Sequence, residues 1–348
     1  MKRNICMPAE WEQQSMVMLT WPHRETDWLP YLTEITETYI RMADAITRHE
    51  QLVIATPHPI QVGALLSGRL PQKQMSNVYI YHCKTNDTWA RDHGPITLVE
   101  RDTHKRTLLD FRFNGWGEKF EAALDNKITS TLHKEGAFDT EQGNTPRLVD
   151  NDDFVLEGGS IESDGKGTVF TTEFCLLAPN RNQPLEKEEI EDELLHRLKA
   201  ERIIWLHHGQ LKGDDTDGHI DTTVRIAPDD TLLYHKCYNK DDEQYADFLA
   251  LEEELKTLRT IDGKPYRLIP LPQPDAIYDD DDRLPATYAN FLIINDAVLV
   301  PTYAQPENDK MACDAIAKAF PDREIIAIDS RIIIKQHGSI HCCTMQLF

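Results

Sequence analysis

Four times along this chain a loop carrying a chemically useful side chain runs directly into a strand, a tight turn and a second strand. The paired segments are 96–100 with 107–113, 160–163 with 168–172, 223–227 with 231–234, and 291–294 with 297–300. Each places β-branched or aromatic residues around a polar turn, such as Asp164-Gly-Lys-Gly167 or Asn295-Asp296, which is the hairpin signal. Ahead of the first hairpin stands Trp89-Ala-Arg-Asp-His-Gly-Pro95, and ahead of the second Leu156-Glu-Gly-Gly159. Asp217-Gly-His-Ile-Asp221 precedes the third and Tyr288-Ala-Asn290 the fourth, while His337-Gly-Ser-Ile-His-Cys-Cys343 leads into one last short strand. From Asp92 through Glu157, His219 and Asn290 to Cys342 the steps are 65, 62, 71 and 52 residues. A period of about 60 residues suits one strand–helix–strand unit of a propeller-like array.

Helical patterns lie between the hairpins. Leu32, Ile35, Tyr39, Ala43 and Ile46 keep helical spacing, and so do Ile190, Leu194 and Leu198 in a segment opened by Pro184 and rich in early Glu. Extended segments at 52–55 and 78–81 follow some of the helices. Alternating strands and helices predict an α/β architecture. No Gly/Ser-rich or Pro-rich linker divides the chain, so residues 1–348 are expected to form a single catalytic domain. If the units pack around one axis, their equivalent loops converge. An Asp, a Glu, a His with a nearby Asp, an Asn and a Cys then meet at one place.

Composition narrows what such a site binds. The formal charge of −22 repels nucleic acid and anionic membranes and attracts cations. The first residues, Met1 to Cys6, carry no apolar stretch behind their charges, so no leader is read there. The most apolar run, 291–300, is interrupted by Asn295 and Asp296 and is far short of a membrane span. Seven cysteines, an odd count without paired spacings, predict reduced thiols and a cytoplasmic location. Cys6, Cys83, Cys175, Cys237 and Cys313 stand singly and read as packing, whereas Cys342 and Cys343 are adjacent and follow His341.

A Cys thiolate is a nucleophile, and a His can take its proton or later deliver one to a leaving group. Asp221 stands two residues from His219, on the same face of an extended segment. A guanidinium is planar, cationic and presents a fixed fork of donors that carboxylates accept in pairs. Asp92 and Asp221 gripping one guanidinium leave its central carbon open to attack from above the plane. Glu157, beside two glycines, is either a turn carboxylate or the group that orients His219. The run Asp214-Asp-Thr-Asp-Gly-His219 fails as a calcium loop, because Gly213 and Val224 occupy its first and last ligand positions. His207 and His208 read as structural, and Asp279 to Asp282 as a solvated loop. No zinc spacing and no glycine-rich phosphate loop is present, so no metal or nucleotide cofactor is implied.

These motifs, in this order, resemble the agmatine deiminase and Porphyromonas-type peptidylarginine deiminase family. The resemblance begins at Met7-Pro-Ala-Glu-Trp-Glu12 and Thr20-Trp-Pro22 and continues through 86–95 and Phe113-Asn-Gly-Trp-Gly117. It then takes in Leu156-Glu-Gly-Gly-Ser160, Leu177-Ala-Pro-Asn-Arg-Asn182 and Thr216-Asp-Gly-His-Ile-Asp221, and ends at Ile340-His-Cys342. It implies the pentein fold, a five-bladed α/β propeller of ββαβ repeats around a pseudo-fivefold axis. It also implies Cys342 as nucleophile, His219 as general acid/base, Asp92 and Asp221 as guanidinium holders, and Glu157 supporting His219 or touching substrate. Asn290 matches an Asn near the site, and Trp89 and Trp116 form pocket walls. The implied reaction is hydrolytic deimination of a small cationic guanidino compound, agmatine first, through a covalent thiouronium on Cys342. Putrescine synthesis would be its setting, and self-association into a homo-oligomer is left open.

The chain departs from the family where a glycine-rich stretch and an Asn normally precede Ile-His-Cys; here His337-Gly-Ser339 stands instead, and a second cysteine, Cys343, follows. Free, methylated or peptidyl arginine are the rival substrates. Arg112 is the nearby cation that a substrate carboxylate would want, whereas the ammonium tail of agmatine suits Asp215. A non-catalytic guanidinium-binding protein, an amidinotransferase and a thiol protease are the competing classes. The Cys, His and Asp set argues against a mere binder, and paired Asp residues suit an oxyanion poorly.

Overall fold

The computed structural model of the chain describes residues 4–139 and 145–348. Met1 to Arg3, which entered the reading of the N-terminus, lie outside the described residues. The period of about 60 residues resolves into ββαβ units, each with an antiparallel hairpin, a helix and a strand returning parallel to the hairpin. The first pairs Ile96–Glu100 with Arg106–Arg112 and returns as Arg147–Val155 after the helix Ile128–Lys134. The second runs Ile161–Ser163, Thr168–Thr172, helix Lys187–Arg197 and Arg202–Leu206. Val224–Ala227, Thr231–Lys236, helix Tyr245–Thr257 and Arg267–Pro272 form the third. Leu292–Ile294, Ala297–Thr302, helix Pro306–Ala319 and Glu324–Asp329 form the fourth.

The fifth unit is split between the two ends of the chain. Thr344–Leu347 pairs antiparallel with Met16–Thr20, which continues through helix Leu32–Thr47 to the parallel strand Gln51–Thr56. Val78–His82 then extends that sheet by one further parallel strand. The run at 291–300 that came nearest to a membrane span is thus the fourth hairpin, buried almost throughout. Among the described residues no helix is long and apolar enough to cross a membrane.

Local sequence accounts for the elements. Helix Leu32–Thr47 buries Ile35, Tyr39, Ala43 and Ile46, the stripe read from its spacing. Helix Lys187–Arg197 starts in a capping box, in which Glu186 and Glu189 each accept from the other's backbone amide. The short hairpins are hydrophobic on both faces because each sheet is covered by its own helix outside and by neighbouring units inside. Fully buried Arg225 bridges the units: Nη1 donates to the Ala289 and Phe291 carbonyls, Nη2 meets Glu10 Oε2 at 2.5 Å, and Nε pairs with Glu162.

Candidate active site

Each unit delivers one side chain from the same place, the loop just ahead of its first strand. Asp92 and Glu157 stand four residues before strands that begin at Ile96 and Ile161, His219 five before Val224, and Asn290 and Cys342 two before Leu292 and Thr344. Hydrogen bonds stitch the five loops together. Arg91 N donates to Cys342 O at 3.1 Å, and His341 N to Asn290 O at 3.2 Å. The Gly159 amide donates to Asp92 Oδ1 at 3.0 Å, and Asn290 Nδ2 to Asp221 O at 3.4 Å. The sequence periodicity is therefore a spatial convergence.

A cavity of about 220 Å³ opens over these loops, lined by Trp89, Trp116 and Phe120, by Cys342, and by Asp27, Asp87, Asp92, Asp214 and Asp215. Gly338 lies at the wall because a Cβ there would come within 2.0 Å of the Trp89 ring. His219, Asp221, Glu157 and Asn290 do not line this cavity; they are buried alongside it. Their meeting point is Gly159. A Cβ on it would lie 2.6 Å from His219 Nδ1 and 3.0 Å from both Asp221 Oδ2 and Asp92 Oδ1.

Asp92 is held in a fixed orientation. Its Oδ1 accepts from Gly159, its Oδ2 accepts from Trp116 Nε1 at 3.0 Å, and His219 Nδ1 lies 3.6 Å away. Trp116 reaches it from a turn in which Gly115, Trp116, Gly117 and Glu118 all have positive φ. That conformation is costly for a bulky residue and persists where several contacts over-determine it. Here Asn114 Oδ1 accepts from Gly117 N, and Gly117 lies against Arg181, leaving no room for a Cβ.

Asp221 has one oxygen committed and one free. Oδ2 lies 2.7 Å from His341 Nδ1 and 3.8 Å from Cys342 Sγ, whereas buried Oδ1 has no partner. A substrate N–H would complete it, since a buried acceptor left unpaired is costly.

Charge sets the resting protonation. Burial, then the charges of Asp221 and Asp92, pushes the Cys342 thiol well above the ordinary cysteine range. Burial works against a charged His219, but the charge of Asp92, followed by Cys175 and Glu157, carries it well above the usual imidazole value. Burial lifts Asp92 to about 6, with His219 pulling it back. At rest the site therefore holds a neutral thiol and a protonated imidazole, a donor ready for a leaving amine.

Several expectations from the sequence change at this level. Glu157 pairs with Arg181 Nε at 2.7 Å, both side chains fully buried, and shares His219 with Cys175; the potential donor atoms of Glu157, Cys175 and His219 lie within 4.8 Å of one another. Cys175, read as packing, is thus a neighbour of His219. Asn290, matched to an Asn near the site, accepts from Cys342 N at 3.2 Å and has its Oδ1 3.4 Å from Sγ. Cys342 lines the cavity while Cys343 is fully buried in the core, and both stand in a turn ahead of the strand. Asp215 lines the cavity, with burial and Asp214 raising it to about 6. His207 and His208 pair with Glu254 and Asp247 at the surface. Among the described residues, the two buried donor sets of metal-ligand type each already hold an arginine, Arg181 beside Glu157 and Arg225 between Glu10 and Glu162.

A thiol, an imidazole and paired carboxylates on converging loops of a ββαβ array define a hydrolase of the pentein fold that acts on C–N bonds of guanidino groups. The chain belongs to the Porphyromonas-type peptidyl-arginine deiminase family, whose sequence model matches residues 6–347. It is 33% identical to a putative agmatine deiminase of Vibrio parahaemolyticus, over 98% of this chain and 96% of that one. Among solved structures, a putative arginine deiminase from Porphyromonas gingivalis superposes with TM-score 0.91 at 48% identity, covering 98% of both chains. A substrate-bound agmatine deiminase variant from C. jejuni superposes with TM-score 0.86 at 37% identity, covering 99% of this chain and 96% of that one.

Proposed function

We propose that this protein hydrolyses agmatine to N-carbamoylputrescine and ammonia through a covalent adduct on Cys342. The observation that carries the substrate choice is the cavity lining. Five Asp side chains line it, and none of the described lining residues is Lys or Arg. A dication with a guanidinium at one end and an ammonium at the other suits such walls; a substrate carboxylate does not. Arg112, the cation considered for such a carboxylate, is absent from the lining. Relatives carry both arginine deiminase and agmatine deiminase names, so pocket chemistry is the better guide.

The guanidinium binds between Asp92 and Asp221, each charge-assisted hydrogen bond contributing roughly 1.5–3 kcal/mol. Its positive charge offsets the two carboxylates that keep the Cys342 thiol neutral, and the thiol then loses its proton to solvent, His219 already carrying its own. Sulfur attacks the guanidinium carbon, a C–S bond forms, and the C–N bond breaks as His219 protonates the departing ammonia. Water enters, His219 takes its proton, and oxygen attacks the thiouronium carbon. The C–S bond breaks, leaving the ureido product and regenerating the thiolate. Glu157, held by Arg181, supports His219, while Asn290 positions Cys342. Trp89 and Trp116 wall the chain of the substrate, and Asp215 with its acidic neighbours receives the distal ammonium. Residues 1–348 act as one catalytic domain, in the cytoplasm, in putrescine formation.

Ammonia release from agmatine, arginine and a blocked arginyl peptide, with Cys342→Ser as control, tests this reading. Turnover of agmatine alone, lost in the variant, supports it. Turnover of arginine or the peptide moves the substrate assignment, and an active Cys342→Ser variant ends the covalent mechanism.

A further inference from the structure

The imidazole of His341 is fully buried and makes two short contacts at once. Nδ1 lies 2.7 Å from Asp221 Oδ2, and Nε2 lies 2.7 Å from Glu10 Oε1. A nitrogen and a carboxylate oxygen approach this closely only with a proton between them, because two facing lone pairs repel strongly in a low-dielectric interior. A neutral imidazole carries a single N–H. The three groups together therefore hold two protons: an imidazolium between two carboxylates, or a neutral ring beside a carboxylic acid.

The surroundings select the first arrangement. Glu10 also meets Arg225 Nη2 at 2.5 Å, Arg91 Nη1 at 3.3 Å and Gln346 Nε2 at 3.1 Å, so its carboxylate is flooded with donors. Against the effect of burial, His341 and the two arginines hold Glu10 well below the usual carboxylate range. Asp221, against the same effect, is held below its usual value by His341, His219 and Arg225. Burial, then Arg225 and Arg91, lowers the imidazole from its ordinary value, while Glu10 and the hydrogen bond to Asp221 act the other way. The pair of 2.7 Å contacts decides for the charged form.

We propose that Glu10 and His341 are positioning residues: a doubly protonated imidazole, clamped by Glu10, ties down Asp221 Oδ2 and so aims Oδ1 at the substrate. This rests on the deiminase reading of the site. The clamp explains two features that otherwise stand alone. Asp221 keeps one unpartnered buried oxygen because its other oxygen is anchored from behind. A negative Asp221 is tolerated 3.8 Å from the sulfur that must become a thiolate because a positive ring lies on its far side. Glu10 also lines a separate cavity of about 30 Å³ with Arg91 and Gln346, which shares no residue with the active-site cavity. Such a space is large enough for a water or two beside Glu10.

The test uses full-length protein labelled with ¹⁵N-histidine, the His341 signals being identified by their absence in His341→Asn. Both ring nitrogens are expected at N–H shifts throughout the range in which an ordinary histidine titrates. A bare nitrogen in the wild type overturns the proposal. Kinetically, His341→Leu is expected to lose ~100-fold in kcat/KM, and His341→Asn, whose amide can still donate to Asp221, to recover part of it. Glu10→Gln removes the charge that holds the second proton, so its alkaline limb of kcat/KM should move to lower pH. A merely structural Glu10 would scale the profile without moving it, and a superimposable profile overturns the clamp. If the wild type releases ammonia from no guanidino compound, the deiminase reading fails, while the ring's protonation is still decided by the nitrogen shifts.

Discussion

Gly159 lies against His219: a Cβ at this glycine would sit 2.6 Å from Nδ1 of the imidazole and 3.0 Å from an oxygen of both Asp92 and Asp221. No real Cβ tolerates such approaches, so the substitution must displace functional groups. Gly159→Ala is expected to reduce kcat/KM for the guanidino substrate by ~100-fold or more, the scale set by misplacing reacting groups by about 1 Å. Steady-state kinetics beside a thermal melt checks this. Activity within a few-fold of wild type would show that the three groups are not used in their observed positions.

The resting protonation gives the pH dependence its shape. Cys342 is raised above the ordinary thiol value and His219 above the ordinary imidazole value. The free enzyme at neutral pH is thus a thiol with an imidazolium. Values of kcat/KM should climb as pH rises through neutrality, because more thiolate forms, and fall at higher pH, when His219 or the clamped His341 loses its proton. Alkylation of Cys342 by iodoacetamide should be slow at neutral pH and accelerate above the ordinary thiol range. Fast alkylation at neutral pH would mean a preformed thiolate and would contradict the charge balance described here.

Arg181 and Glu157 form an ion pair in which neither side chain is exposed. Removing one member of such a pair leaves an uncompensated buried charge and costs ~3–5 kcal/mol. Arg181→Ala should therefore lower the melting temperature markedly. Arg181→Lys should lose less stability yet forfeit the contacts to Asp217 Oδ2 and the Thr216 carbonyl, depressing activity beyond its effect on melting. Equal melting temperatures for wild type and Arg181→Ala would remove the pair from the structural argument.

Glu50 provides a stability test away from the site. Burial raises its carboxyl to about 7 from an ordinary value of 4.5. One oxygen accepts from Asn295 N, and the other has no partner. A carboxyl that holds its proton more tightly folded than unfolded costs the folded state increasingly as pH rises from the unfolded to the folded value. Above that window the penalty is complete, about 3 kcal/mol for a shift of this size. Glu50→Gln should gain stability relative to wild type at mildly alkaline pH and lose that advantage at mildly acidic pH. Parallel denaturant titrations at the two pH values measure it, and a difference independent of pH would refute the assignment.

The sequence displayed the site's inventory better than its wiring. Asp92, Glu157, His219 and Asn290 stood out because each precedes a hairpin, which is a local signal, and Cys342 because it precedes the last strand at a comparable interval. The fourfold pattern became fivefold only when Thr344–Leu347 paired with Met16–Thr20, a contact that local periodicity cannot announce. The same holds for Arg181 against Glu157, Cys175 beside His219, and Glu10 on His341: each joins segments far apart in the chain. Asp27 reaches the cavity from a loop with no catalytic pattern of its own, and Asp87 from the 86–95 motif, in which it had been given no role. Nor does composition reveal a position such as Gly159, where what matters is the volume its neighbours leave free.

The split fifth unit bears on how the protein acquires its activity. Cys342, the proposed nucleophile, stands two residues before a strand whose partner is near the beginning of the chain, while Asp92 comes from the first unit, His219 and Asp221 from the third and Asn290 from the fourth. A fragment that lacks the first strands can carry every one of these side chains, yet it leaves the strand after Cys342 without its partner. A chain whose ends have not yet met carries the thiol but not the imidazole held between Glu10 and Asp221, so the proposed attack on a guanidinium lacks its anchored carboxylate. Turnover is then a report on completed folding, and a lesion that only loosens the seam between first and last strands should silence the enzyme while most of its secondary structure survives.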